Sequence, residues 1–274
     1  MLRCDYCFLQ GKKTKPRIQD IVFQYSIKDS DQWMEGINWL ADQLGNVDTI
    51  ELCGGEPFIY RDIVSLMRKI INKYGLVLLT SNIERIPDDF FDLPLNKVGL
   101  TASLHLDKDG SIRKNFMKNA SLLANSGLRM FSFNYVAYPG QSKFYAKVLN
   151  FAQSIGVPYT HLEPYIDYDS PETKFGNNYS RDESEFVRDS LYENDKLAME
   201  GEIKRDRTNG CNVLNTFILI DPLGDIYPCQ GMLFENKNKL GNIFEKKLDD
   251  LSKYKPLPCD LFCPCAQNFR DGFR

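Results

Sequence analysis

The sequence predicts an α/β fold with a parallel sheet, because apolar segments of strand length and of helix length alternate along it. The strand-like segments are 47–52, 76–80, 98–105, 130–137 and 157–163. Apolar residues recur at helical spacing in 33–44, 61–73, 112–124 and 144–155. Because each crossover must return the chain to start the next strand in the same direction, we expect the strands to be parallel.

Residues at the element boundaries support this order. We expect Asp31 to cap the first helix and Gly45 to end it, while Gly75 closes the second helix and Gly127 the third. A polar stretch at 167–178 marks a boundary loop. The charged segment 182–200 follows it and is predicted to be a helix that covers the open side of the sheet, with its apolar residues facing inward, namely Phe186, Leu191 and Leu197.

Length, charge and hydropathy exclude several classes of protein. The 274 residues allow one large α/β domain and a small appendage. A net charge of -3, with acids and bases interspersed, gives no electrostatic footprint for nucleic acid or an anionic membrane. The apolar runs are too short for a membrane helix, and the N-terminus shows no signal-peptide pattern, so we expect a cytoplasmic protein. The eight cysteines crowd the two ends of the chain, which favours metal ligation.

Two short motifs indicate a metal beside a small ligand. Cys4 and Cys7 are separated by two residues, a spacing that can hold one metal centre, and Tyr6 between them could shield that centre from water. The segment Gly54-Gly55-Glu56-Pro57 follows a predicted strand, where bare backbone can approach a polar ligand. Zinc sites and redox dithiols share the first motif, and glycine pairs mark ordinary turns, so the combination is the stronger signal.

Together, these motifs resemble those of the radical S-adenosylmethionine (AdoMet) superfamily. That resemblance implies a partial (β/α)6 TIM-like barrel, a [4Fe-4S] cluster held by three thiolates, and AdoMet bound to the open iron with its amino end held by the Gly-Gly-Glu-Pro segment.

The N-terminus departs from the superfamily pattern. The first of the three cysteines would fall one position before Met1, and the strand that leads into the cluster loop is absent. We expect that the chain starts at a methionine internal to the working protein. The alternatives are a degenerate relative or a cluster completed by another ligand such as Cys53. A cysteine at a strand end is more often a small buried hydrophobe, and we expect this of Cys53.

Polar residues at the predicted strand ends are candidates for contacts with the cofactor. By the resemblance, Ser81 and Asn82 could contact the ribose or methionine part of AdoMet, and Ser103 and Asn134 could line the same pocket. The alternative for Ser81, Ser103 and Asn134 is a strand-end cap or a partner for the backbone. Farther along, His161, Glu163 and Tyr165 alternate and could form an inward triad, although a satisfied core histidine beside an acid is the favoured interpretation.

A second set of cysteines predicts another metal centre. A hairpin is expected at 214–228, flanked by Cys211 and Cys229, and a tail with Cys259, Cys263 and Cys265 could close on the same point. The spacing is similar to the opening of the auxiliary-cluster extension called SPASM, or its shorter form called twitch. The resemblance implies one auxiliary [4Fe-4S] cluster held by Cys211, Cys229 and two of the last three cysteines. A structural zinc is the alternative.

The resemblance also implies a function and a domain plan. We expect a barrel at 1–180, a linking helix at 181–208 and an iron-sulfur module at 209–274. An enzyme of this kind would cleave AdoMet reductively and abstract a hydrogen atom from a peptide or small molecule, giving an oxidation or a cross-link. An electron donor such as flavodoxin or ferredoxin would be needed. The competing interpretation is a non-catalytic relative that acts as a binding protein.

Overall fold

Five parallel strands form the main sheet, in the order β1 to β5. The structure is a computed structural model that describes residues 28–45, 47–107, 109–165, 179–190, 214 and 217–254. The strands are β1 (Glu51–Leu52), β2 (Val77–Ser81), β3 (Val98–Leu104), β4 (Met130–Ala137) and β5 (Tyr159–Pro164). The parallel α/β architecture is confirmed, and it is that of a partial barrel. The sixth strand expected ahead of Cys4 lies outside the described residues.

Four helices accompany the main sheet. They are α1 (Ser30–Leu44), which precedes β1, and α2 (Ile63–Tyr74), α3 (Lys114–Ala124) and α4 (Tyr145–Ser154), which connect successive strands. The connection between β2 and β3 contains two short 3-10 helices, Asp88–Asp92 and Leu95–Lys97. The first helix begins before the expected cap, because Asp29 and Gln32 form a capping box in which each side chain accepts from the other's backbone N–H. Asp31 instead accepts a hydrogen bond from Lys69 at 2.6 Å. The prediction that Asp31 is the cap was therefore wrong.

The first strand is much shorter than the predicted segment 47–52. Only Glu51 and Leu52 pair with β2, and within the described residues β1 has no other neighbour in the sheet. Asp48 and Thr49 are exposed. An apolar run signals burial, but these two polar residues interrupt the run before it reaches the sheet.

The helix expected to cover the sheet begins close to its predicted position. This helix, α5 (Arg181–Ser190), carries Glu183, whose carboxylate accepts hydrogen bonds from Gly140 N–H and the Ser142 hydroxyl. Val187 is the buried residue, whereas 39% of Phe186 is exposed, so the inward assignment of Phe186 was wrong. Leu191 and Leu197 lie outside the described residues.

A small antiparallel sheet follows in the C-terminal part. The predicted hairpin is present as β6 (Leu219–Ile220) and β7 (Asp225–Tyr227), joined by a turn in which Asp221 accepts from the backbone N–H groups of Leu223 and Asp225. Two strands not expected from the sequence complete the sheet, β8 (Gly241–Asn242) and β9 (Lys247–Leu248). Strands of two residues are too short to show an alternating pattern. A short helix, α6 (Gln230–Glu235), lies between β7 and β8.

The first helix packs against the cores of both sheets. One side of α1 packs into the main core through Met34 and Ile37, while Leu40 belongs to the cluster of the small sheet. Gly36 allows this contact, since a Cβ there would lie 3.0 Å from the Ile243 side chain. No helix in the described ranges is long and apolar enough to cross a bilayer.

Substitution of Gly36 tests this contact. Gly→Ala in a helix interior ordinarily stabilises by about 1 kcal/mol, but here the added methyl meets Ile243. We expect Gly36→Ala to bring no such gain and Gly36→Val to lower the free energy of unfolding by about 1–3 kcal/mol, measured by urea denaturation. Gly36→Val should cost less in an Ile243→Ala background than in the wild type, since the clashing side chain is then absent. A stabilised Gly36→Val variant would contradict the close packing.

Candidate functional site

One face of the main sheet is rich in polar side chains. On the face packed against the helices, alternate residues such as Leu100, Phe133 and Leu162 are buried. The other face contains the apolar residues Leu78 and Val136, but many of its positions are polar and only partly buried: Thr80, Thr101, Ser103, Ser132, Asn134, His161 and Glu163. Parallel sheets are ordinarily apolar on both faces, and closed barrels fill their interior with branched aliphatic residues. A polar inner face therefore suits a bound polar ligand.

The strand register aligns part of this face in one row. Ser103 pairs with Asn134, and Asn134 pairs with His161, so these three residues lie side by side, near the carboxyl end of β3 and midway along β4 and β5. Thr101 and Ser132 form the row below and contact each other at 3.2 Å. Sequence reasoning found Ser103 and Asn134 but missed Thr101 and Ser132. The signal was present, as polar residues at every second position of buried strands.

The Gly-Gly-Glu-Pro turn lies at the carboxyl end of β1. Gly54 has φ of 125°, a conformation that favours glycine, and both glycines are exposed. Glu56 is only 8% exposed. Its Oε1 accepts from the Ser81 hydroxyl at 2.6 Å and from Phe58 N–H at 3.1 Å, and its Oε2 accepts from Asn82 N–H at 2.8 Å. The carboxylate thus ties the turn to the end of β2.

Burial raises the pKa of Glu56 above its usual value. The hydrogen bonds from Ser81, Asn82 and Phe58 lower it and so offset part of the effect of burial.

Ser81 and Asn82 differ in what they offer a ligand. Ser81 is 2% exposed, and its hydroxyl donates to Glu56 and accepts from Ile83 N–H at 3.0 Å. Both hydrogen bonds are made within the protein, in agreement with the alternative that Ser81 is a partner for the backbone. The Asn82 side chain accepts from Glu84 N–H through Oδ1 at 2.9 Å. Its Nδ2 makes no hydrogen bond with the described residues and is available to a ligand.

Ile83 lies just after the end of β2 and has a strained backbone conformation. Its φ is +48°, although it is β-branched and fully buried. A left-handed backbone at a residue other than glycine costs about 1–3 kcal/mol and persists only where the surroundings enforce it. The end of β2 is therefore held in place by its neighbours.

Ser103 and Asn134 have polar groups without partners in the part of the chain that the structure describes. The Asn134 Oδ1 is buried and accepts no hydrogen bond. An unpaired buried acceptor costs about 1–3 kcal/mol, which a ligand donor would remove. This orphaned atom fits the expectation that the row binds a polar ligand.

Two histidines lie on or beside the same face. His161 Nδ1 is 3.9 Å from Glu163 Oε1, and their side chains are 37% and 45% exposed. Of the favoured interpretation, a satisfied core histidine beside an acid, the neighbouring acid is present, but His161 is only partly buried. Burial, with the Arg113 guanidinium as the second cause, lowers the pKa of His105 to about 4, so this ring is neutral at pH 7. Tyr165 donates its backbone N–H to the Tyr179 hydroxyl.

The described cysteines are Cys53 and Cys229. Cys53 is exposed, so the expectation of a small buried hydrophobe was wrong. Protein atoms nevertheless surround the thiol on most sides, and this crowding, followed by the Glu51 carboxylate, raises its pKa to about 11. Cys229 follows β7 directly and is half-buried. The described residues contain no group of three or more His, Cys, Asp or Glu side chains that could hold a metal.

The other predicted metal ligands lie outside the described residues, and so does one predicted cofactor contact. The ligands are Cys4, Cys7, Cys211, Cys259, Cys263 and Cys265, and the contact is Tyr6. Both predicted clusters therefore stay predictions.

Comparisons with known proteins match the chain to solved structures. No protein-family model matches it, and neither does any curated protein. Streptococcus suis SuiB bound to S-adenosylmethionine has a TM-score of 0.63 and 22% identity, over 84% of this chain and 60% of SuiB. SuiB bound to its precursor peptide SuiA has a TM-score of 0.62 and 21% identity, over 89% of this chain and 61% of SuiB.

A second protein with AdoMet in its structure also matches. Native anSMEcpe with bound AdoMet has a TM-score of 0.57 and 17% identity, over 89% of this chain and 74% of anSMEcpe. The chain spans about three fifths of the length of SuiB. At these identities the matches show a shared fold, and the fold agrees with the resemblance found in the sequence.

Glu56→Gln tests the electrostatics of the tie between β1 and β2. Because the folded-state pKa of Glu56 is raised, the folded protein binds this proton more tightly than the unfolded chain. The stability of the wild type relative to the Gln variant should be greatest below the usual pKa of 4.5 and should fall as pH rises through the folded-state pKa. Urea denaturation from about pH 4 to about pH 8 measures this difference.

The exposed Glu51 provides a matched control, since its carboxylate accepts from the Thr80 hydroxyl at 2.8 Å without being buried. Glu51→Gln reports how the loss of an exposed carboxylate on the same strand changes the free energy of unfolding. A wild-type advantage at position 56 that grows with pH would show that the three hydrogen bonds outweigh burial.

Proposed function

We propose that the chain is a radical AdoMet enzyme that binds AdoMet at the carboxyl ends of its strands. Cys4 and Cys7 would supply two ligands of a [4Fe-4S] cluster there, with Tyr6 between them. When bound, the cluster and AdoMet would supply a 5'-deoxyadenosyl radical that removes a hydrogen atom from the substrate.

The observation that carries the proposal is the rim formed by the turn at 54–56 and the end of β2. The buried Glu56 carboxylate accepts from the Ser81 hydroxyl and from Asn82 N–H. It thereby holds the exposed backbone of Gly54 and Gly55 in a defined position beside a polar sheet face. Structures with AdoMet bound share this fold.

Each residue of the site has a proposed part in binding. Gly54 and Gly55 let the backbone approach the amino end of AdoMet. The Asn82 Nδ2 has no partner among the described residues and would donate to the ribose or methionine part. Ser103 and the orphaned Asn134 Oδ1 would hydrogen-bond to the same molecule. Pro57 is buried, and we propose that it shapes the turn against the cofactor.

A peptide is the proposed substrate class, and the fold comparison supports it. SuiB was crystallised with a precursor peptide, and anSMEcpe with the Cp18Cys peptide at a TM-score of 0.53. His161 and Glu163 lie on the partly exposed inner face and would meet the substrate. We propose an oxidation or a cross-link as the outcome, in a cytoplasmic enzyme that receives electrons from a flavodoxin or ferredoxin.

The auxiliary cluster is a separate part of the proposal. Cys229 follows β7 at the edge of the small sheet, and Cys211 with two of Cys259, Cys263 and Cys265 would complete the ligand set. Thiolate ligands suit an iron-sulfur cluster, and they also suit zinc.

Anaerobic reconstitution with iron and sulfide tests the function. We expect about four irons for each cluster and reductive cleavage of AdoMet to 5'-deoxyadenosine after addition of dithionite. Protein incubated with AdoMet but without reductant is the control. Stoichiometric zinc with no cleavage would contradict the proposal and would favour the non-catalytic relative.

Asn82→Ala tests the site within the same protein. Loss of the Asn82 side chain removes a donor to AdoMet, and we expect its Kd to rise about three- to tenfold, as measured by equilibrium dialysis. Asn72 is an exposed residue of α2 and provides the matched control, since Asn72→Ala should leave the Kd unchanged. Equal Kd values for both variants would remove Asn82 from the site.

A further inference from the structure

The end of β2 contains the most strained backbone near the site. Ile83 has φ of +48° and a side chain that is fully buried in the main core. Its N–H donates to the Ser81 hydroxyl at 3.0 Å. Isoleucine is among the residues least suited to this backbone region, because its branched Cβ crowds the chain. Some contact outside the turn must hold it there.

Asn119 of α3 makes that contact. Its Nδ2 donates to the Ile83 carbonyl oxygen at 2.6 Å, across 36 residues of sequence. Asn119 is partly buried and lies between Phe116 and Leu123, which are buried in the main core and fix the position of α3. The donor is therefore on a rigid element, and the acceptor is the carbonyl of the strained residue.

The strained backbone at Ile83 affects the orientation of its neighbour Asn82. Asn82 immediately precedes Ile83, and its N–H donates to Glu56 Oε2 at 2.8 Å. The Asn82 Oδ1 accepts from Glu84 N–H on the other side of Ile83. If Ile83 relaxed to negative φ, the peptide group that carries Glu84 N–H would rotate relative to the one that carries Ile83 N–H. The hydrogen bonds of Ile83 N–H to the Ser81 hydroxyl and of Glu84 N–H to Asn82 Oδ1 could then not both persist.

We propose that Asn119 is a positioning residue for the cofactor site. It holds Ile83 in the left-handed conformation, and so keeps Glu84 N–H on Asn82 Oδ1 and the Asn82 side chain oriented for the ligand. The affinity part of this inference rests on the proposed function, whereas the conformational part does not.

The conformational part is tested on the protein without ligand. Hydrogen exchange followed by NMR reports the amides of Ile83 and Glu84, which donate to the Ser81 hydroxyl and to Asn82 Oδ1. We expect Asn119→Ala to speed their exchange about three- to tenfold, which corresponds to the loss of one hydrogen bond. Asn115 is exposed on the same helix, and Asn115→Ala should leave both rates unchanged.

The affinity part is tested by a rescue with the substitution Ile83→Gly. Glycine takes φ of +48° without strain, so the turn stays populated in the Ile83→Gly background when Asn119 is removed. We expect Asn119→Ala to raise the Kd for AdoMet about three- to tenfold when Ile83 is present and less than about twofold with Ile83→Gly. Each comparison is made within one background, so the cavity left by the isoleucine side chain cancels.

The outcomes separate the two proposals. Exchange rates in Asn119→Ala that match those in Asn115→Ala would overturn the positioning role. An equal loss of affinity in both backgrounds would show that Asn119 supports α3 in general and would overturn it as well. Wild-type protein that fails to bind AdoMet, with exchange rates that still respond to Asn119→Ala, would overturn the proposed function and leave the positioning role standing.

Discussion

The carboxylate of Glu56 joins two strand ends that the sheet alone would leave independent. The main-sheet pairing of β1 covers two residues, and the turn that follows is held by the buried Phe58 on one side and by the Glu56 carboxylate. Three donors from Phe58, Ser81 and Asn82 converge on this carboxylate. Burying an acid is costly unless it is hydrogen-bonded, and this arrangement satisfies the acid while it fixes the exposed glycines. The geometry of the proposed cofactor site depends on this tie.

The difference between the two faces of the main sheet also favours a ligand on one of them. Helices cover one face with apolar side chains, and the other face carries a polar row with an orphaned acceptor at Asn134. Burial of that row in an apolar core would be costly, because the Asn134 Oδ1 accepts no hydrogen bond from the described residues. The fold therefore tolerates the row only where water or a ligand reaches it. Strain at Ile83 adds a second local cost at the same rim.

Much of this architecture could be predicted from the sequence, since the period of the apolar residues in a long segment indicates whether it is a helix or a strand. The strand order and the Gly-Gly-Glu-Pro turn followed from such patterns. The ends of elements were harder: Asp29 caps α1 because Gln32 completes a capping box, a spacing that is visible in the sequence but was overlooked in favour of Asp31. Ser81 looked available to a ligand, but its hydroxyl binds Glu56, a contact between residues 25 positions apart. Strands β8 and β9 were missed because two residues carry no periodicity.

The central claim is that the rim at 54–56 and 81–84 is the AdoMet site. The most direct measurement is hydrogen-deuterium exchange of the reconstituted protein with and without AdoMet, resolved by peptide. The account predicts slower exchange in peptides that cover 53–60 and 80–85, with no change in the small sheet at 219–248. Protection confined to the small sheet, or none at the rim at saturating AdoMet, would contradict it.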